Sequence, residues 1–533
     1  MRQLKVEAAS RPNLWERKAA IGAILVACVV LAIHLQALFT SAVIAIRYPF
    51  GIDYGEGIVW QQALQIQARA SYGSIAGFPA IVFHYPPVYH LLTIALARAD
   101  GLDFLMAGRI VSFTATLGFG LLAGAIVYHV VRCDARPRAA AICSVIGSLV
   151  AVTSAPVTNW APLMRVDMVA TAFSLGGIWL AMRALTRPLL IHAAAVCFVA
   201  AVFTKQTAIA APVATFLTLL ALRPRVALAG MATSLGVGLA ALAMLEWMTN
   251  GGFLRHILLY NINRFDLSRL SLVAMIVEFH GLYVAAACLG TALWVQRRSH
   301  KYRGANSVSE IRRRLQGSEG DIGLSILVAY FLLTTVMLVT VAKVGSNINY
   351  FIDWILAAGM LAAIGCCQAA CVACDAGPHA AKPLSSAVLL PALIGIQAML
   401  LPPAPDYADR TDPRRVAQLQ RLTALVKAAD RPVISDDMVV LLRAGQPVMW
   451  EPAIFAELSS KGMWDPAPFV AKIRRGEFAF FVTEGGRGDP SYEERYGQFL
   501  AIAIAEAYPV KRTLAGYTLH LPVKATANPA PNR

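Results

Sequence analysis

Long apolar segments, joined by short loops rich in lysine and arginine, dominate this sequence. Of 533 residues, 57% are hydrophobic and 15% are charged, whereas a soluble domain carries roughly 25% charged residues. Eleven segments are apolar enough to be membrane-spanning helices of about 20 residues, although several are shorter. They cover residues 19–46, 109–131, 138–157, 168–184, 189–204, 207–222, 226–247, 271–296, 322–342, 350–374 and 385–401. The pattern predicts an α-helical polytopic membrane protein with about eleven transmembrane helices.

The basic loops orient these predicted helices. Lysine and arginine precede the first segment and fill alternate loops, most densely between residues 297 and 314. Because basic loops stay cytoplasmic, the N-terminus is predicted inside and the last helix ends outside. The first segment lacks a small-residue cleavage site, which predicts a retained helix rather than a signal peptide. The net charge of +16 is therefore explained by loops of an inner-membrane protein and does not indicate nucleic-acid binding.

Two regions outside the apolar segments have their own organisation. The predicted membrane domain, residues 1–401, contains a long first outer loop at 47–108. Within this loop, 56–70 has the pattern of a helix lying in the interface, and a second short helix follows two prolines. Residues 402–533 alternate strand and helix patterns, which predicts a small soluble α/β domain on the periplasmic or extracellular side. Its predicted elements are strands at 432–435 and 478–482, helices at 469–475 and 492–508, and a hairpin at 512–521.

Two carboxylates directly follow the first apolar segment. Asp53 and Glu56 are three residues apart, so they share one face if a helix begins there. Acidic residues at the edge of a membrane span indicate a functional site. The alternative is that Asp53 is a helix N-cap and Glu56 its capping partner.

Basic residues also occur in loops that this topology places outside, where positive charge is scarce. An anionic ligand at the outer membrane surface would explain them. The alternative is that they reach lipid headgroups or pair with nearby acids. The four residues are Arg165, Lys205, Arg264 and Lys343.

Neither cysteine nor histidine specifies a metal site. None of the nine cysteines falls in a predicted outer loop, so no disulfide is expected. Cys371 and Cys374 lack a second ligand pair and are interpreted as small residues at a helix end. His84 and His90 flank two prolines, where they either bind metal or hydrogen-bond locally. No metal ligand is assigned, and a divalent cation as cofactor is left open.

Together these features resemble the GT-C superfamily of membrane glycosyltransferases. The resemblance rests on the acidic loop sequence 53–57 (Asp-Tyr-Gly-Glu-Gly), the motif 85–87 (Tyr-Pro-Pro), the many predicted spans and the outer C-terminal domain. It is closest in kind to bacterial protein mannosyltransferases and to the aminoarabinose transferases of lipid A. This resemblance implies a polyprenyl-phosphate sugar as donor, transfer at the outer face, and a lipid, glycan or protein as acceptor.

The resemblance also implies roles for particular residues. Asp53 corresponds to the catalytic carboxylate, Glu56 lies beside it, and Asp167 matches a second acidic position. The four basic residues named above are expected to bind the donor phosphate. Relatives often carry lysine before the two prolines, where this chain has Tyr85. The substrate cavity is expected to contain His84, Tyr85, Tyr89, Asn347, Asn349 and Tyr350.

A transporter or flippase of lipid-linked sugars is the rival function. Transporters commonly show two related halves and broken spans near the midplane. This sequence has no half-to-half similarity, and its polar motifs fall at one face of the membrane. A non-catalytic assembly partner is a third alternative, in which the carboxylates would be replaceable. The patterns favour a transferase of hexosyl or pentosyl groups.

Overall fold

The computed structural model describes residues 14–261, 263–302, 307–374 and 384–523. The basic residues before Leu14 and Lys382, which enter the topology prediction, lie outside these ranges. Up to residue 400 the α-helices are α1 (Leu14–Arg47), α2 (Tyr54–Gln67), α3 (Val88–Asp100), α4 (Phe104–Val131), α5 (Pro137–Thr153), α6 (Ala155–Trp160), α7 (Asp167–Arg183), α8 (Leu190–Val202), α9 (Ala210–Leu222), α10 (Pro224–Met248), α11 (Gly252–Leu254), α12 (Leu270–Phe279), α13 (Gly281–Tyr302), α14 (Val308–Gln316), α15 (Glu319–Met337), α16 (Ile352–Gly365), α17 (Cys367–Ala373) and α18 (Leu384–Leu400).

Each of the eleven predicted segments coincides with one of these helices or with consecutive helices. By length and composition, five helical stretches of the described chain can cross a membrane: Leu14–Arg47, Phe104–Val131, Pro224–Met248, Glu319–Ala342 and Ile348–Ala373. A pair bent by 67°, Leu267–Phe279 with Gly281–Gln296, would be a sixth. Shorter apolar helices are Pro137–Thr153, Leu190–Val202, Ala210–Leu222 and Ala387–Leu400. The polytopic helical fold is confirmed, and the number of eleven crossings stays a prediction.

The last part of the chain forms a small mixed domain, as its alternating patterns predicted. Its helices are α19 (Pro413–Lys427), α20 (Met438–Arg443), α21 (Pro452–Ser460), α22 (Ala467–Arg474) and α23 (Pro490–Ala507). Its strands are β1 (Ile434–Ser435), β2 (Phe481–Thr483), β3 (Val510–Leu514) and β4 (Tyr517–Leu521), in the order β1-β2-β4-β3. β1 pairs with β2 in parallel, and the β3–β4 hairpin adds to β2 in antiparallel fashion.

Residues 47–108, the predicted first outer loop, share a hydrophobic core with this C-terminal domain. Val59 of α2 and Val440 of α20 belong to one buried cluster. Gly57 permits this contact, because a Cβ there would lie 2.5 Å from the Cβ of Met438. Residues 55–63 are buried, so protein covers this part of α2, and the prediction that residues 56–70 lie in the membrane interface stays a prediction. The C-terminal domain covers α2 and fixes its position.

Candidate active site

The site is built around the start of α2, where Asp53 and Glu56 form a capping box. Asp53 Oδ1 accepts from the backbone N of Gly55 at 3.0 Å. Glu56 Oε2 accepts from the backbone N of Ile52 at 2.8 Å and of Asp53 at 3.3 Å. These bonds satisfy amide groups that have no partner within the helix. The capping alternative therefore describes the backbone here, while each carboxylate also has a second, charged partner.

Arg109 of α4 is the charged partner of Glu56, and both side chains have no exposed surface. Arg109 donates from Nη2 to Glu56 Oε2 at 2.7 Å and from Nε to Oε1 at 2.8 Å. It also donates to the backbone oxygens of Ala45, Tyr48 and Phe50. Burial raises the pKa of Glu56, but the charge and hydrogen bonds of Arg109 outweigh it and hold that pKa below its ordinary value.

This arrangement corrects the expected catalytic position of Glu56. The carboxylate is enclosed by Arg109 and by the backbone N of Met164, which donates to Oε1 at 2.9 Å. No face of it is open to a substrate. Its contacts instead join the loop after α1 to α4, so we place Glu56 among the residues that position the site.

Arg165 is the charged partner of Asp53. Its Nη1 donates to Asp53 Oδ1 at 3.0 Å, and the two side chains are 15% and 21% exposed. The guanidinium also lies over the ring of Trp160, 5.4 Å from its centroid. Burial raises the pKa of Asp53, and the charge of Arg165 opposes that rise without cancelling it. In contrast to Glu56, Asp53 keeps an open edge.

Asp167, at the start of α7, is the centre of a second polar cluster. Oδ1 accepts from Lys205 Nζ at 2.7 Å and from Asn349 Nδ2 at 2.8 Å, and Oδ2 accepts from Trp160 Nε1 at 2.9 Å. Lys205 also lies over the ring of Tyr350, at 5.1 Å from its centroid. Three side chains, Trp160, Lys205 and Asn349, thus converge on one carboxylate.

A cavity of about 420 Å³ lies between these clusters and the C-terminal domain. Seven of the residues predicted for the site line it, from five separate segments of the chain. They are His84, Tyr85, Arg165, Lys205, Lys343, Asn349 and Tyr350. Gly55 also lines the cavity. Asp53, two residues earlier in the chain, therefore lies at the same wall, where it pairs with Arg165. The opposite wall comes from the C-terminal domain and contains Glu451, Ala453, Ile454, Glu457, Glu494 and Arg495.

Six predicted residues do not line the cavity. Asp53, Glu56 and Asp167 are described above, and the other three have different surroundings. Tyr89 is fully buried, and its hydroxyl donates to the backbone oxygen of Gly108 at 2.8 Å. Asn347 caps a 3₁₀ turn and is exposed away from the cavity. Arg264 is 53% exposed and its Nε pairs with Glu457 at 3.0 Å. The sequence predicted the segments that carry these side chains, but it could not show in which direction each side chain points.

The structure adds Glu451, which the sequence interpretation missed. Its side chain is 6% exposed, its Oε2 has no hydrogen-bond partner among the described residues, and His84 Nε2 lies 3.9 Å away. Burial raises the pKa of Glu451 to about 8, against the opposing charge of Arg165. Burial, with the charges of Lys343 and Arg165, lowers the pKa of His84 to about 3. Near neutral pH both groups are therefore uncharged, and the contact is not an ion pair.

Arg109 was also missed, although an arginine inside an apolar helix is itself a signal of a buried partner. Arg109 is the first residue of the predicted apolar segment 109–131. For Glu451 the available signal was weaker: an acid directly before Pro452, at the start of a helix. Neither signal identifies a partner distant in sequence.

Within the described residues, no group of three or more histidine, cysteine or acidic side chains could hold a metal ion. His84 and His90 have separate surroundings. His90 is fully buried and its Nε2 lies 3.1 Å from Gln62 Oε1, which is the local hydrogen bond considered for it. His84 Nε2 lies 3.9 Å from Glu451, and its ring also contacts Tyr85.

The cations at the cavity differ in how far they are neutralised. Arg165 and Lys205 each have an acidic partner, Asp53 and Asp167. Lys343 donates only to the backbone oxygen and side-chain oxygen of Asn261, at 3.1 and 3.3 Å. Among the described residues it has no acidic partner, and the same holds for Arg269, which also lines the cavity. These two cations are therefore placed to take up an anionic group entering the cavity.

Comparison with known proteins gives a likeness in fold. No protein family and no curated protein sequence matches this chain. The crystal structure of ArnT from Cupriavidus metallidurans bound to undecaprenyl phosphate matches with a TM-score of 0.54 and 15% identity, over 94% of this chain and 98% of that one. The apo crystal structure of the same protein gives a TM-score of 0.47 at 15% identity over the same shares. The likeness to the first structure confirms the fold implied by the sequence resemblance: this chain has the fold of that ArnT structure.

Proposed function

We propose that this chain is a membrane glycosyltransferase. It moves a hexosyl or pentosyl group from a polyprenyl-phosphate-linked donor to a lipid, glycan or protein acceptor. Transfer takes place at the outer face of the cytoplasmic membrane. The observation that carries the proposal is the ion pair of Asp53 with Arg165 at the wall of a cavity lined by further cations.

The basic wall suits the donor phosphate. Arg165, Lys205 and Lys343 all line the cavity, and Lys343 has no acidic partner among the described residues. Preorganised cations stabilise charge that develops on a leaving phosphate without reorganising during the reaction. The ArnT structure of similar fold contains undecaprenyl phosphate, and a lipid phosphate of that class supplies both the anion and the reason for a membrane-embedded site.

Asp53 is the proposed catalytic base. In the structure its Oδ1 is bound by Arg165. When the donor phosphate enters, Arg165 turns to it and the Asp53 carboxylate becomes free to take a proton from an acceptor hydroxyl or amine. The acceptor atom then attacks the anomeric carbon, the bond from that carbon to the phosphate oxygen breaks, and the polyprenyl phosphate leaves as the anion.

Other residues of the site hold the cavity wall and the loop of Asp53 in position. Asp167 holds Lys205 and Asn349 at the cavity wall. Glu56 and Arg109 fix the loop that carries Asp53. The C-terminal domain closes the cavity on the outer side with Glu451 and Glu457, where it would meet the acceptor or the donor sugar.

The test is sugar transfer in proteoliposomes from a panel of radiolabelled undecaprenyl-phosphate sugars, supplied with bacterial envelope extracts as acceptor. We expect transfer by the wild type and a loss of about 100-fold or more in Asp53→Asn. Asp412→Asn is the matched control, because Asp412 only caps α19 through the backbone N of Arg414. Equal transfer by wild type and Asp53→Asn would contradict the role of Asp53. Movement of the lipid-linked sugar across the bilayer without transfer would favour the flippase.

A further inference from the structure

A second cavity lies at the other end of the molecule from the candidate active site. α4 begins beside that site, where Arg109 holds Glu56, and its 28 residues extend about 42 Å at 1.5 Å per residue. Near its last turns a groove of about 580 Å³ opens between α4, α5 and α7. In the predicted topology this end of α4 is cytoplasmic. At 1.5 Å per residue, the groove begins about 18 Å from Arg109, at Leu121, and ends about 35 Å from it, at Arg132.

The walls of this groove, here named the α4 groove, are apolar along its length. Leu121 of α4 and Val145 of α5 line it and are 73% and 51% exposed. On helices that span a membrane, exposure of this kind means contact with lipid chains. Tyr128 and Trp179 line the same groove further toward its end, and aromatic side chains of this type are enriched at the level of lipid headgroups.

Its closed end is basic. Arg132, at the end of α4, and Arg183, at the end of α7, both line the groove. His129, about one turn before Arg132 on α4, lines the same end and is 3% exposed. Arg132 pairs with Glu319 at 3.1 Å, whereas Arg183 has no ion pair among the described residues. The net charge at this end of the groove is therefore positive. It lies next to the apolar walls, at the level of the lipid headgroups.

His129 gives an independent sign of a missing partner. Its Nε2 is buried and has no hydrogen-bond partner among the described residues. The nearest acidic oxygen, Oε2 of Glu319, is 3.7 Å away, which is beyond a hydrogen bond. Buried polar groups in native proteins are nearly always paired. The His129 side chain also lines the α4 groove.

We propose that the α4 groove binds an anionic phospholipid of the cytoplasmic leaflet. One acyl chain lies along α4 against Leu121 and Val145, and the phosphate lies at Arg183, Arg132 and His129. Basic pockets between transmembrane helices are suited to such headgroups, because the chain and the phosphate are bound by two different surfaces. A free phosphate would use only the basic end and would leave the apolar walls unfilled.

The test uses the purified full chain in detergent and native mass spectrometry. The probes are phosphatidylglycerol and phosphatidylcholine with identical acyl chains. For the wild type we expect at least about fivefold more phosphatidylglycerol than phosphatidylcholine bound, and a loss of that preference in Arg183→Gln. Arg187→Gln is the matched control, since Arg187 lies one turn further along and does not line the groove. It should keep the preference of the wild type.

A second variant tests the apolar walls. Ala125→Trp fills the groove from its half-exposed α4 position and should lower the binding of both lipids, while size-exclusion chromatography and helical content stay as in the wild type. Equal binding of the two lipids by the wild type would overturn the proposal. So would an unchanged preference in Arg183→Gln, full displacement by inorganic phosphate, or preferential binding of undecaprenyl phosphate over phosphatidylglycerol.

Discussion

Arg165 fills the space that a side chain on Gly55 would need: a Cβ on Gly55 would lie 1.4 Å from Arg165 Nη1. The absence of a side chain at residue 55 is what lets the guanidinium reach Asp53, two residues earlier in the chain. The sequence 53–57 therefore has a structural reason at each acidic and glycine position. Asp53 binds Arg165, Gly55 leaves room for it, Glu56 binds Arg109, and Gly57 admits Met438 of the C-terminal domain.

Gly55→Ala should separate Asp53 from Arg165. We expect the methyl group to push the guanidinium aside, so that sugar transfer falls by about 100-fold, as for the loss of an electrostatic catalytic group. The measurement is transfer in proteoliposomes with helical content recorded in parallel. Gly118→Ala is the control, because a Cβ there meets nothing within 4 Å. Full activity of Gly55→Ala would show that the ion pair is not needed.

Arg109→Gln should destabilise the fold more than loss of a surface ion pair does. Removing one partner of a buried pair leaves an unpaired charge and costs about 3–5 kcal/mol. Unfolding in mixed micelles would measure this loss of free energy. Arg415→Gln, which removes the exposed pair with Asp409, should change stability by less than about 1 kcal/mol. Similar values for the two variants would contradict the anchoring role of Glu56 and Arg109.

Lys343→Gln should weaken binding of undecaprenyl phosphate by about tenfold, because a charge-assisted hydrogen bond is lost. Lys343 lines the cavity and has no acidic partner among the described residues. Arg264→Gln should change the Kd by less than about twofold, since Arg264 is 53% exposed and paired with Glu457. Titration of the lipid at several salt concentrations would measure both. The reverse order would place the phosphate outside the cavity.

Glu451→Gln should change the pH dependence of stability. Between the ordinary pKa of 4.5 and the raised value of about 8, the folded state keeps a proton that the unfolded state has lost. The wild type therefore loses stability as pH rises through this window, by at most about 1.4 kcal/mol per pH unit.

The glutamine variant has no such proton at residue 451. Its free energy of unfolding should equal or exceed that of the wild type by a margin that grows from pH 5 to pH 8 and is constant above. Urea or mixed-micelle unfolding at four pH values would measure the margin. Glu494→Gln is the control, because Glu494 is 54% exposed. A pH-independent margin would show that Glu451 is ionised in the folded protein.

Much of the fold was predictable, because the signals that specify it are local. An apolar run of about 20 residues predicts a helix wherever it occurs, and Pro137 and Pro224 indicate where two of them begin. In the C-terminal domain the alternation of patterns predicted the strands and the helices α22 and α23 in their correct order, but not α19, α20 and α21. The burial of α2 was not predicted. Its mixed polar and apolar residues resemble an interfacial helix, and the C-terminal domain covers them.

The candidate site was predictable only as a set of loops. By itself the sequence determined the helices and the segments between them in which acids, cations and prolines accumulate, and the orientation by basic loops stays a prediction. The tertiary structure decided the pairing: Asp53 with Arg165, which are 112 residues apart, and Glu56 with Arg109, which are 53 apart. It also decided that Glu451 faces His84. Helical periodicity is a property of neighbouring residues, whereas the direction and burial of a polar side chain depend on contacts between distant segments, and these exist only once the chain has folded.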